Sequence, residues 1–132
     1  MLRGRRSLRG DRKLTALAQI PPFAGLPADH LVQLGRLLDR GCVSAGAHLA
    51  RRDRRILQPL IVTGGTAMVH GAGTPACVEP IATLGLDLTD PARRAVSDVT
   101  AQSDLDVWFV EPRAIRTAIA LVPYLSTVTR LG

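Results

Sequence analysis

The order of elements along the chain predicts a mainly β domain with flanking α-helices. Three observations carry that prediction. An apolar-periodic segment, residues 28–39, follows the proline-stiffened stretch Ile20-Pro21-Pro22-Phe23-Ala24-Gly25-Leu26-Pro27. From Arg40 to Val110, glycine and proline repeatedly break the chain into short β-like runs. From Glu111 onward the apolar residues return to helical spacing.

Lys13 to Ile20 reads as a short helix. Leu31, Leu34 and Leu38 fall at helical spacing, with Val32 and Leu37 widening the stripe, so the 28–39 segment must pack one face on a partner surface. Phe23 and Leu26 are large apolar groups on the connector ahead of it, placed to dock. Val43-Ser44-Ala45-Gly46 is strand into turn. Leu60-Ile61-Val62-Thr63 is a strand ending at Gly64-Gly65, and Thr66-Ala67-Met68-Val69 runs back. Both glycines tolerate positive φ, which predicts a tight hairpin there. His70 to Pro80 is loop-like around one short strand, Ala76-Cys77-Val78. Leu84 to Leu88 precedes a polar loop, residues 89–94. Two strands follow, Ala95 to Ala101 and Leu105 to Val110, joined by the turn Gln102-Ser103-Asp104. Glu111-Pro112 opens a helix, with proline near the first helical position and a carboxylate favoured by the dipole. Ile115, Ile119 and Val122 form its apolar face. Pro123 ends it, and Tyr124, Leu125, Val128 and Leu131 make a second short amphipathic segment.

A length of 132 residues fits one domain with a real core and no second one. The reading divides it into a basic, flexible arm, residues 1–12, and a domain over 13–132. Cys42 and Cys77 are far apart with no Cys-x-x-Cys spacing, which suits a reduced compartment and argues against a disulfide framework. His30, His48 and His70 are scattered singly, so no metal site is expected. No apolar run is long enough to span a membrane. Arg5-Arg6-Ser7-Leu8 resembles a twin-arginine export signal only in its first residues, because Asp11, Arg12, Lys13 and Gln19 interrupt the apolar stretch that should follow. The expected location is cytoplasmic.

The net charge is +6, and all basic residues but Lys13 are arginine. With abundant Ala, Gly, Leu and Val, this points to a GC-rich coding background, which lowers the functional weight of any one arginine. Arg3, Arg5, Arg6, Arg9, Arg12 and Lys13 against Asp11 place most of the excess ahead of residue 14. Such an arm can lie along a phosphate backbone or an acidic surface, or act as a solubilising tail; it lacks aromatics for stacking on bases. Arg51, Arg52, Arg54 and Arg55 surround Asp53 in a loop between strands, which reads equally as a basic patch for RNA or an acidic protein and as a solvated loop. Trp108 is adjacent to Phe109, so one faces the core and the other an opposing surface; Trp108 is the candidate for contact with a helix or a partner. No serine, cysteine or carboxylate is visibly paired with a base, so no catalytic residues are assigned.

The order of elements and four residue runs make the region from Leu14 to Leu131 resemble a cyclic-nucleotide-binding domain, a β-roll of the jelly-roll (double-stranded β-helix) type flanked by helices. Ile20 to Leu26 is similar to the family's hydrophobic-Pro-x-Phe-x-x-Leu lead into its N-terminal helix. Val43-Ser44-Ala45-Gly46 with Leu49 resembles its strand and turn, V-x-x-G-x-x-L. Leu60 to Val69 is similar to its Y-I-V-x-x-G-x-x-x-V pattern, and Val99 to Glu111 to its closing strands.

The resemblance also implies a phosphate-binding cassette, with a Gly-Glu pair whose carboxylate takes the ribose hydroxyl and a following arginine that pairs with the cyclic phosphate. Here the pair falls on Gly85-Leu86, and leucine accepts no hydrogen bond. The arginine position falls on Ala95. The candidate ligand-binding residues are therefore Gly85, Asp87 as a substitute carboxylate, and Arg93 or Arg94, the latter one residue out of register. The expected function is a non-enzymatic accessory or regulatory subunit without a cofactor, docking on a larger assembly or a second copy, with the arm and Arg51–Arg55 offered to an acidic protein surface or nucleic acid. The alternatives are a sensor of cyclic AMP or cyclic GMP and a nucleic-acid-associated protein.

Overall fold

The computed structural model describes residues 3–5, 10–20, 23–56, 58–71, 73–86, 94–95, 97–123 and 129–131, with backbone alone at 3–5, 10–12, 129 and 130. Among the described residues ten strands and three α-helices run in the order β1 Arg3–Arg5, α1 Gly10–Ala18, α2 Ala28–Leu37, β2 Leu38–Val43, β3 His48–Ala50, β4 Leu60–Gly64, β5 Ala67–His70, β6 Ala76–Val78, β7 Ala82–Leu84, β8 Asp98–Ala101, β9 Leu105–Val110, α3 Ile115–Leu121 and β10 Thr129–Arg130. A 3₁₀ turn, Pro112–Ala114, with proline at its start, leads into α3.

The strands form two sheets, ordered β1-β2-β9-β4-β7-β10 and β3-β8-β5-β6. Four chain segments, 38–50, 60–70, 76–84 and 98–110, each contribute one strand to each sheet. They lie antiparallel to their neighbours in both sheets, which is the jelly-roll arrangement.

That crossing corrects two expectations. Gly64-Gly65 does turn the chain, but β4 and β5 do not pair as a hairpin. β4 pairs with β7 and β9, whereas β5 pairs with β6 and β8. β8 and β9 likewise lie in different sheets. The cause is burial on both faces: Leu60, Ile61 and Val62 are all at most 1% exposed, so β4 needs a central position between two partners rather than a place in a two-stranded ribbon. The two crossing turns are tied to each other, since Gln102 and Ser103 both donate their amides to the Thr66 carbonyl and Thr66 donates its own to Ser103 Oγ.

Alternation along the strands divides the core. Leu60, Val62, Val107 and Phe109 point between the sheets and meet Leu49, Leu84, Val99 and Leu131. Ile61, Trp108 and Val110 point out of the six-stranded sheet, where Leu17, Ile20, Phe23, Leu34, Ala118 and Val122 cover them. Helix α1 lies on α2 at Gly35, where an added Cβ would meet Leu14 Cδ2 at 3.5 Å.

Element ends differ from the expected ones. The first helix begins at Gly10 rather than Lys13, and the backbone of Arg3–Arg5 adds an edge strand paired antiparallel with Gly41–Val43. Helix α2 stops at Leu37, and Leu38, expected in its stripe, opens β2 opposite Val110. The strand Ala82–Leu84 was not expected; it is buried throughout and pairs with β4. Residues 124–128 of the second C-terminal segment lie outside the described residues. Its end is not helical: Thr129–Arg130 run parallel to β7 and Leu131 is buried.

Candidate functional site

The segment after β7 carries the positions that the cyclic-nucleotide resemblance marks. Gly85 has φ +76°, and a Cβ there would approach Ile56 Cγ2 at 2.8 Å, so the backbone bends through a space only glycine fits. Leu86 follows, 5% exposed, in the apolar cluster under the helices. At the other end of the segment Ala95 is 1% exposed and packs in the core between the sheets. Thus the positions that the resemblance assigns to ribose and phosphate both hold apolar side chains, buried in two different clusters. Neither can hydrogen-bond or pair with an anion. Asp87 and Arg93 lie outside the described residues.

Arg94 is exposed, and its Nη1 donates to the backbone carbonyl of Asp53 at 2.8 Å. This bond belongs to a small ladder. Arg94 bridges Arg55, the Ala95 amide donates to the Arg54 carbonyl, and the Asp53 amide donates to the Ala95 carbonyl. The Arg54 amide closes the turn onto the Arg51 carbonyl, and the Arg52 amide donates to Asp98 Oδ1 at 2.8 Å. Asp53 sits at φ +63°, a conformation Asp tolerates better than most residues. Two features far apart in sequence, the Arg51–Arg55 loop and Arg94, are thereby brought onto one surface.

Trp108, the candidate for contact with a helix or a partner, is 2% exposed and packs under this chain's own helices, so it offers no surface to a partner. The reason is its register on the outward face of β9, opposite Arg40 and Ile61 in the middle of the six-stranded sheet. The arm residues Arg3 and Arg5 have backbone positions in β1, their side chains lying outside the described residues together with Arg6 and Arg9.

Sequence reading missed a cleft of about 370 Å³ on the outer face of the six-stranded sheet. Ala16, Gln19 and Ile20 line it from α1 and the turn after it, Arg40, Thr63, Asp106 and Trp108 from the strands, and Pro80 and Ile81 from the connection between β6 and β7. The alternation that sets Asp106 and Trp108 on one face of β9 was the available signal. Asp98 and Asp104 hold backbone: Asp104 Oδ1 accepts from the Ala45 amide at 2.8 Å, as Asp98 does from Arg52. Among the described residues no three His, Cys, Asp or Glu side chains converge to hold a metal ion. His70 Nε2 and Thr100 Oγ1 are 3.2 Å apart across β5 and β8, and Cys77 Sγ lies 3.2 Å from Gln102 Oε1.

No protein-family model matches the chain, and no curated protein matches it. Solved structures do. A cAMP-binding acyltransferase from Mycobacterium smegmatis superposes with a TM-score of 0.72 at 21% identity, over 88% of this chain and 38% of that one. The regulatory subunit of a cAMP-independent protein kinase A from Trypanosoma brucei gives 0.71 at 20% identity, over 90% and 46%. The C-linker/CNBHD of zELK channels gives 0.62 at 18% identity, over 90% and 73%. The chain thus spans under half the length of the first two. With the crossed double ribbon and its helical cover, these likenesses establish that the chain has the β-roll fold of cyclic-nucleotide-binding domains.

Proposed function

We propose that this chain is a non-enzymatic accessory or regulatory subunit, acting in the cytoplasm, whose cyclic-nucleotide-binding-like domain serves as a protein-docking module without a nucleotide effector. One observation carries the reading: Leu86 and Ala95, at the positions the resemblance assigns to the ribose and phosphate anchors, are buried apolar residues. A cyclic phosphate leaving water needs a charge-assisted and preferably bidentate partner. The described arginine of that segment, Arg94, instead holds the Asp53 carbonyl. The fold serves regulatory proteins among the neighbours, including the regulatory subunit of a kinase described as cAMP-independent, which supports a role for the scaffold apart from cyclic AMP. No helix among the described residues is long and apolar enough to cross a membrane. The partner is a larger protein assembly or a second copy of the chain.

Titration with cyclic AMP and cyclic GMP tests this directly. The expected result is no binding heat in calorimetry and no rise in melting temperature at excess nucleotide, because a ligand that binds only the folded state must raise its stability. A saturable heat with a matching thermal shift would instead make the chain a nucleotide sensor.

A further inference from the structure

We infer that the surface of Arg51, Arg52, Arg54 and Arg55, its backbone held in place by Arg94, is a preorganised docking site for an acidic protein segment, one carrying several Asp or Glu residues in succession. The inference rests on the docking reading above and names the surface and the partner's chemistry. All four arginines are exposed. Among the described residues the ion pairs are Lys13–Asp39 and Arg113–Glu111, so no described carboxylate is ion-paired with any of the four. Two described acids lie nearby, Asp98, which accepts the Arg52 amide, and Asp53, exposed on the turn itself, so four guanidinium groups face two carboxylates.

A cluster of like charges on a loose loop would spread apart in water. Here the backbone prevents that. Backbone hydrogen bonds run in both directions between 53–54 and Ala95, the Arg52 amide is anchored on Asp98, and Arg94 is clamped to the Asp53 carbonyl. Fixing the backbone before binding lowers the ordering cost of association, and guanidinium forks match carboxylates in geometry as well as charge. The partner's class follows from what is missing. The described aromatic side chains, Phe23, Trp108 and Phe109, are each at most 2% exposed, so none can stack on an unpaired base. The cations are also gathered on one turn and its neighbour rather than strung along a stripe that would track a phosphate backbone.

The test is fluorescence anisotropy of a labelled octaglutamate peptide with the full chain, its Arg51→Ser/Arg54→Ser/Arg55→Ser variant, and a control of equal net charge, Arg36→Ser/Arg113→Ser/Arg116→Ser. Thermal melts confirm that both variants fold; should the first not fold, Arg51→Ser and Arg55→Ser are measured singly. The expected result is salt-sensitive peptide binding that the first variant weakens about tenfold and the control leaves within about twofold. Equal binding by the first variant and the wild type overturns the surface assignment. Tighter binding of a short DNA or RNA duplex than of the peptide, at the same salt, overturns the acidic-protein assignment. Cyclic-nucleotide binding with peptide binding intact overturns the docking reading while leaving this surface standing.

Discussion

Arg94 reaches across the surface to the backbone of Asp53, with its Nη1 2.8 Å from the carbonyl oxygen. In the cyclic-nucleotide-binding resemblance an arginine in this neighbourhood pairs with phosphate. Here the side chain closest in sequence to that role holds a turn of this chain's own backbone. The fold-forming and ligand-gripping uses of an arginine compete for the same guanidinium, and the first is the one observed.

Removing this contact loosens the turn without unfolding the roll. Arg94→Ala is expected to lower stability by about 1 kcal/mol, the order of a partly solvated hydrogen bond, read from the urea midpoint. Hydrogen exchange at the Asp53 and Ala95 amides should quicken while the amides of β4 and β9 keep their protection. Equal quickening in both groups would show that the contact matters to the whole domain instead.

Placing a carboxylate at the position the resemblance assigns to the ribose anchor is expected to cost stability without creating a nucleotide site. Leu86 is buried in the apolar cluster that also holds Ile61, Trp108 and Val110, so Leu86→Glu places a charge among apolar side chains. The expected cost is roughly 3 kcal/mol or more, from lost packing and the desolvated carboxylate together. Thermal melting with and without cyclic AMP checks it. The melting temperature should fall, and nucleotide should not raise it again.

Gly65 and Gly46 share a positive φ, +86° and +87°, but differ in surroundings. A Cβ at Gly65 would strike the Asp104 carbonyl oxygen and approach Leu105 Cδ2 at 2.8 Å, whereas nothing lies within 4 Å of one at Gly46. Gly46→Ala should therefore show only the backbone penalty, about 1 kcal/mol, and Gly65→Ala about 3 kcal/mol or more because the two crossing turns must separate. Chemical denaturation of the two variants side by side measures the difference. Equal losses would mean that contact between the turns contributes nothing.

Much of the local architecture is legible in the chain. The strand cores of Leu60–Gly64, Ala67–His70, Ala76–Val78 and Leu105–Val110 lie where glycine, proline and β-branched residues punctuate the sequence. The stop at Pro123 and the start at Pro112 also follow from what proline does to a helix. Ala82–Leu84 escaped because three small or mixed residues beside Gly85 carry no periodicity of their own; contacts with β4 and β10 make them a strand. Leu38 escaped for a related reason. A leucine at helical spacing satisfies the α2 stripe as well as it satisfies β2, and only the position opposite Val110 decides between them.

The sequence by itself determined the class of the fold, the order of its central strands and flanking helices, and the apolar residues Leu86 and Ala95 at the positions the resemblance marks for an acceptor and a cation. Those are properties of residue type and of short-range spacing, which every segment carries whether folded or not. Only the tertiary structure decided that β4 and β5 belong to different sheets, that Trp108 is spent beneath the helices, and that Arg94 joins the Arg51–Arg55 turn. Each of those depends on which distant surface covers a given face, and burial is a property of the assembled chain rather than of any one stretch.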